Sequence, residues 1–348
     1  MTPEGRADQH PATTGHGRSA PDACSSLWDR DGTSAFGTAA LARFFIALEQ
    51  PGPWGRQAAT DSRLDPRLGA ELDRRCAGLG GRFMLIRRPS AHADHSGPQR
   101  VLIGHSGAHP GDSWLIEADL ASPGDLLSVD WLALLRGHRD VVRGSLAGAH
   151  DGQPALLVCT NGRRDVCCAV RGRPLATAAA AVAPERVWEV SHTGGHRFAP
   201  TAVLLPWGQT YARLDPGSVE WVLEASLTGH TPSELLGPVH DRGRSALNSP
   251  VQAAESFVRH AIAETHLASL WAQEATGGTE AATGGTEAAT GRTDDVPGGS
   301  VAIVVQHADG RRWRVAVTRT SSDRVRPESC GKSGVPVFEQ HVTVLSEP

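Results

Sequence analysis

The stretch that decides the reading is Cys159-Thr-Asn-Gly-Arg-Arg-Asp-Val-Cys167-Cys168-Ala169, followed by Trp188-Glu-Val-Ser-His192-Thr-Gly-Gly-His196-Arg-Phe198. Four soft or borderline metal ligands lie in two close pairs, each within a turn-rich loop. Gly162, Gly194 and Gly195 let the backbone fold tightly around a bulky centre. A Cys2His2 set holds either zinc or a [2Fe-2S] cluster with thiolates on one iron and imidazoles on the other. Zinc fingers place about two to four residues between their cysteines. Here seven or eight residues separate Cys159 from Cys167 or Cys168, which better suits a loop wrapped around a cluster.

Working outward, Ala155-Leu-Leu-Val158 reads as a short buried strand that ends at Cys159. Pro174 stands as the first residue of a helix that runs through the alanine-rich stretch to Ala183. A strand follows over Val187–Val190, then the glycine-bearing histidine loop, then two strands around Pro206-Trp207-Gly208. Asp215 and Pro216 read as N-cap and first position of another helix. The order strand, helix, strand, strand pair, helix, with ligand candidates only at strand ends and in loops, is that of a thioredoxin-like half-sheet.

The remaining chain divides by composition. Residues 1–22 are polar and rich in Gly, Pro and His, and read as a disordered N-terminus. Residues 23–148 read as an N-terminal α/β lobe, with helices over Ala39–Leu48 and Pro66–Cys76 and strands at Arg82–Ile86, Val101–Ile103 and Trp114–Glu117. Residues 149–272 read as a thioredoxin-like domain, whose last helix opens at Ser249-Pro250 and runs to about Trp271. Between Thr276 and Thr290 the unit T-G-G-T-E-A-A recurs, so 273–299 reads as a flexible repeat linker. Residues 300–348 form a C-terminal β-hairpin segment, with Val301–Val305 and Trp313–Val317 flanking His307-Ala-Asp-Gly310. That piece is too small to fold alone and should pack back onto the body. The expected class is therefore α/β.

With 348 residues and a formal net charge of -4, the chain has ample core and no field suited to coating nucleic acid or an anionic membrane. The first 20 residues lack the pattern of an export signal, and no apolar run is long enough to span a bilayer. Six unevenly spaced cysteines do not make a secreted disulfide scaffold, so a reducing cytoplasm is expected and sulfur reads as ligand rather than staple.

The chain also resembles the sucrase/ferredoxin-like proteins, a family of thioredoxin-like ferredoxins. The resemblance rests on C-T-x-G-x-R-D-x-C-C-A from Cys159, W-E-x-S-H-x-G-G-H-R-F-A-P from Trp188, and L-P-x-G at Leu205–Gly208. Weaker echoes are Glu49-Gln-Pro-Gly-Pro-Trp54-Gly and Ser329-Cys330-Gly331. Family members with four cysteines use a distant pair and then C-x3-C. Here H-x3-H stands in that second place, which resembles the bis-histidinyl branch. The resemblance implies Cys159, Cys168, His192 and His196 as ligands of a [2Fe-2S] cluster, and an electron carrier or reductase module serving redox partner proteins. Histidine ligation implies a potential above that of plant-type ferredoxins, which sit near about -400 mV. Cys167 stays open as an alternative to Cys168.

Rival readings use the same residues. A zinc-stabilised interaction protein would hold its loops together with this Cys2His2 set. A thiol oxidoreductase would use Cys167 and Cys168, although adjacent cysteines lack the C-x-x-C spacing that lowers a thiol pKa. Cys24, Cys76 and Cys330 have no partner spacing and read as small buried apolar groups. His92, His95, His105 and His109 read as surface residues. Arg163, Arg164, Arg171, Arg173 and Arg197 crowd the two loops as either a solvated rim or a docking surface. Asp165 is expected to hydrogen-bond within its loop, and Glu189 to orient a ligand histidine. No carboxylate pair argues for sugar hydrolysis, and no nucleotide-binding loop is present.

Overall fold

Phe44-Phe-Ile-Ala-Leu48, expected to end a helix, forms strand β1 (Phe44–Glu49) instead. All five of these residues are buried, and an apolar run covered on both faces is what a central strand of a twin-layered sheet requires. Helical spacing was absent from the run, so the correction was available from its period. The structure is a computed structural model and describes residues 23–89, 97–275 and 299–347. The expected disordered N-terminus, His92 and His95, and most of the expected linker lie outside the described residues.

In chain order the elements are α1 (Cys24–Arg30), β1, the short α2 (Ala58–Asp61), α3 (Pro66–Gly78), β2 (Arg82–Arg87), β3 (Gln99–His105), β4 (Trp114–Leu120), α4 (Trp131–Arg136), α5 (Arg139–Gly144) and β5 (His150–Asp151). There follow β6 (Ala155–Cys159), α6 (Val166–Val182), β7 (Val187–Val190), β8 (Ala202–Leu205), β9 (Gln209–Tyr211), α7 (Pro216–Ser226), β10 (Asp241–Arg244) and α8 (Ser249–Ala261). The chain ends with β11 (Leu270–Glu274), β12 (Ser300–His307), β13 (Arg312–Pro327) and β14 (Gly334–Ser346).

Ten strands make one sheet in the order β10-β9-β8-β6-β7-β2-β1-β3-β4-β5. The order is a palindrome. β1 runs parallel to β2 and antiparallel to β3, which pairs with β4; β6 runs parallel to β7 and antiparallel to β8, which pairs with β9. The two halves meet where β2 and β7 pair antiparallel, at Ile86 with Val190 and Arg87 with Glu189. The strand-helix-strand-strand arrangement expected of the second half is thus present in the first half as well, with α3 in the place of α6.

Side chains alternate across this curled sheet as strand geometry dictates. Phe44, Ile46 and Leu48 face a core closed by α3, α4 and α5 through Leu72, Leu134 and Val142. Leu156 and Val158 face α6 and α7 through Leu175, Val219 and Val222. The intervening residues Phe45, Ala47, Leu157, Cys159 and Val190 turn to the other face, where both halves share one core. Arg244, on β10, forms a buried pair with Glu255 of α8 (2.7 and 2.8 Å) and donates to the carbonyls of Gly107 and Ala108, tying the sheet edge to the first half.

Two helix boundaries differ from expectation. α6 begins at Val166, because Asp165 caps it by accepting the Cys167 amide (2.9 Å), and Pro174 lies inside the helix. The cap sets the start, and the proline removes a single ladder bond. α8 ends at Ala261, where Ala263 takes a positive φ of 53°, so Trp271 belongs to strand β11. The second sheet, β11-β12-β13-β14, packs on α8 through Ile303, Val305, Val315 and Val258, as expected of a segment without a core of its own.

Candidate metal centre

Cys159 ends β6, and the chain turns at once into Asn161–Asp165. There the Asn161 side chain accepts the Arg163 amide (3.1 Å) and its carbonyl accepts the amides of Arg164 and Asp165. Cys167 and Cys168 then occupy the first turn of α6. The positive end of a helix there favours thiolate over thiol. α6 approaches β6 so closely that a Cβ on Gly172 would stand 2.1 Å from the Cys159 carbonyl oxygen. Only glycine permits this approach, and the approach sets the distance between the Cys159 and Cys168 thiols.

The histidine loop leaves β7 at Ser191, whose backbone and hydroxyl both bond to Leu85 of β2. Gly194 and Gly195 take positive φ values of 86° and 75°, the left-handed region that side chains disfavour. Two arginines clamp the turn. Arg82 donates to the carbonyls of His192 (3.0 Å) and Thr193 (2.9 Å), and the buried Arg242 donates to Gly194 (2.9 Å) and to the carbonyl of Thr38. A Cβ on Gly195 would meet Arg242 Nη2 at 2.3 Å.

The four expected residues come together. His196 Nδ1 lies 3.2 Å from Cys168 Sγ, and the imidazoles of His192 and His196 stack with centroids 4.7 Å apart. His192 Nδ1 is buried and has no hydrogen-bond partner, which leaves it free to ligate a metal. A hydrogen bond from Cys168, with His192 beside it, holds the Cys159 thiol well below its ordinary range, and the same bond together with burial pushes Cys168 up. The two thiols thus titrate as a pair and not independently. Burial, and then His192, push His196 down, so its imidazole is in the neutral form that ligates. The donor set fits a metal group.

A second gathering of thiols was not expected. Cys24, Cys167 and Cys330 have sulfurs 3.2 to 3.6 Å apart, and with an Asp165 oxygen their ligand atoms lie within 4.8 Å of one another. The reading of Cys24 and Cys330 as isolated apolar fillers is therefore corrected. Their separations from Cys167, 143 and 163 positions, leave no local spacing to detect. The hydrogen bond from Cys24, and then that from Cys330, lower the Cys167 thiol, while Cys24 is raised and Cys330 is pushed up to about 11. Cys76 alone stays as read, buried against Leu72 in the first core.

Other candidates resolve individually. Glu189 takes no part in orienting a histidine; Arg87 (2.7 Å) and the Thr160 hydroxyl (2.9 Å) occupy it. Arg171 pairs with Asp29 and Arg197 with Glu328, so both are structural, whereas Arg163 and Arg173 are exposed. Arg164 joins Arg56, Arg74 and Arg82 along a cleft of about 590 Å³ that opens beside His192. His105 is buried, stacked on Trp114 and bonded to the Leu134 carbonyl, which corrects its surface assignment.

Fold and site together define a mixed α/β protein with thiols and imidazoles gathered at the ends of its parallel strands. Residues 70–237, the segment that carries all four residues of the Cys2His2 set, match the model of the sucrase/ferredoxin-like family. No curated protein matches the chain, and no solved structure does. Among the described residues, no helix is long and apolar enough to cross a membrane.

Proposed function

We propose that the protein is a [2Fe-2S] electron-transfer protein, a redox carrier or reductase module, with Cys159 and Cys168 ligating one iron and His192 and His196 the other. The observation that carries this reading is the paired donor set: Cys168 against His196 Nδ1, the two imidazoles stacked, and a buried His192 Nδ1 without a partner. When bound, the cluster supplies one-electron chemistry. The chain's residues supply the rest. Cys159 and Cys168 offer thiolates from the strand end and the helix start. The clamp formed by Arg82 and Arg242 fixes the loop that aims both imidazoles, and its positive charge favours the electron-rich state. His192 and His196 are only half-buried, so the exchange of electrons takes place near the surface. The arginine-lined cleft beside His192 suits a partner protein with an acidic face.

The zinc reading of the same four residues is less well supported. One ion bonded at about 2.0–2.3 Å draws its four donors to within about 4 Å of one another. Among the described residues, the group gathered to within 4.8 Å is that of Cys24, Asp165, Cys167 and Cys330. The test is the visible spectrum and iron content of the purified full chain, with substitutions. Cys159→Ser and Cys168→Ser should each abolish a band that dithionite bleaches, and Cys167→Ser should keep it. A colourless protein with zinc at this set would refute the proposal. Loss of colour in Cys167→Ser, with retention in Cys168→Ser, would move the first ligand pair by one residue.

A further inference from the structure

We propose that Cys24, Cys167 and Cys330, with Asp165, form a second metal site, a mononuclear zinc site distinct from the Cys2His2 centre. The three sulfurs make a nearly equilateral triangle with sides of 3.4, 3.2 and 3.6 Å. Zinc bound tetrahedrally at about 2.3 Å sets its sulfur ligands about 3.8 Å apart, so a single ion enters with an expansion of a few tenths of an ångström. A disulfide would draw two sulfurs to about 2.0 Å and leave the third alone, which is not the arrangement seen. An iron-sulfur cluster would spread its ligands over several irons and needs a wider ring.

Asp165 supplies the second line of argument. Its carboxylate is 4 % exposed, and the donors it accepts from are neutral: the Cys167 amide (2.9 Å), the Cys330 amide (2.9 Å) and the Ser329 hydroxyl (2.7 Å). A buried carboxylate without a cation is costly, and one placed beside three thiols raises the cost of ionising them. A divalent cation removes both penalties. The same hydrogen bonds hold two of the three cysteines in place, as outer partners do in built metal sites. Thiolates select zinc or another soft ion over magnesium or calcium.

The site joins the start of α1, the first turn of α6 and the loop between β13 and β14. The neighbours Cys167 and Cys168 serve different centres: Cys168 packs with Cys159 in the shared core, and Cys167 with Cys24 and Ala199.

The experiment is metal analysis and zinc K-edge absorption spectroscopy on the full chain, incubated with zinc sulfate and desalted. About one zinc per chain is expected, with three sulfurs near about 2.3 Å and one oxygen near about 2.0–2.2 Å. Cys24→Ser and Cys330→Ser should lose the zinc and keep the visible band, and Cys168→Ser should lose the band and keep the zinc. Failure to retain zinc, a shell of two sulfurs and two nitrogens, or a disulfide between any two of the three cysteines by mass spectrometry would overturn the site. The shell is measured on the unsubstituted protein, so a variant that fails to fold does not remove the test. The result is also separable from that for iron at Cys159, Cys168, His192 and His196.

Discussion

Gly172→Ala is expected to destabilise the protein even though it improves the helix it sits in. In an open helical position the exchange is worth about 1 kcal/mol in favour of alanine. At Gly172 the new Cβ would stand 2.1 Å from the carbonyl oxygen of Cys159. Ordinary contact begins at 3.4 Å, so the helix and the strand must part by more than 1 Å, and the obstacle is backbone rather than a flexible side chain. Overpacking of this kind costs about 1–3 kcal/mol, and a rigid neighbour puts it at the upper end. The net loss is about 2 kcal/mol, a fall in Tm of about 4–8 °C at about 2–4 °C per kcal/mol. Because Cys168 rides on α6 and Cys159 ends β6, the same displacement separates the two thiols, and bound iron should fall with stability. Gly144→Ala, at the end of a helix with nothing within 4 Å, is the control and should be neutral or slightly stabilising. Thermal denaturation followed by circular dichroism, with iron analysis of the same samples, measures both effects. A Gly172→Ala protein as stable as the parent and with full iron would refute the claim that this contact sets the thiol spacing.

Two further outcomes follow from the clamps. Arg82→Ala removes the charged donor to the His192 and Thr193 carbonyls, which should cost about 1.5–3 kcal/mol and hasten loss of iron to a chelator. Unchanged iron retention would show that the histidine loop holds itself. Glu255→Ala leaves Arg244 buried without its partner and should cost about 3–5 kcal/mol in urea denaturation, with iron in the folded fraction unaltered. A cost below about 1 kcal/mol would mean that the carbonyls of Gly107 and Ala108 suffice for the guanidinium.

The second half of the sheet was legible because its signals are local. Ala155–Cys159, Val187–Val190 and the strand pair around Pro206-Trp207-Gly208 are short apolar runs bounded by turns, and Asp215-Pro216 opens a helix as capping chemistry requires. The nearness of the residues proposed as a Cys2His2 set was legible for the same reason, each pair being close in sequence. What escaped was non-local. Nothing in the residues of β1 announces that it repeats β6, since buried strands converge on the same few side chains. Cys24 and Cys330 meet Cys167 only because the first helix and the last hairpin loop both fold onto the start of α6. Pro174 misled for a different reason: it is a good opening residue, but Asp165 is a better cap nine positions earlier.

The palindromic strand order gives the first half a role beyond its own core. A half that stood by itself would expose the edge of β7, and a bare edge pairs readily with any strand offered to it. In this chain β2 occupies that edge, and Arg82 at the start of β2 reaches across to hold the histidine loop. The sheet is in effect a dimer written as one polypeptide, in which one half displays the candidate ligand loops and the other permanently covers their edge. Covering the edge from within makes its occupancy independent of protein concentration, so the loop geometry at His192 and His196 should survive dilution that would dissolve an assembly of separate halves.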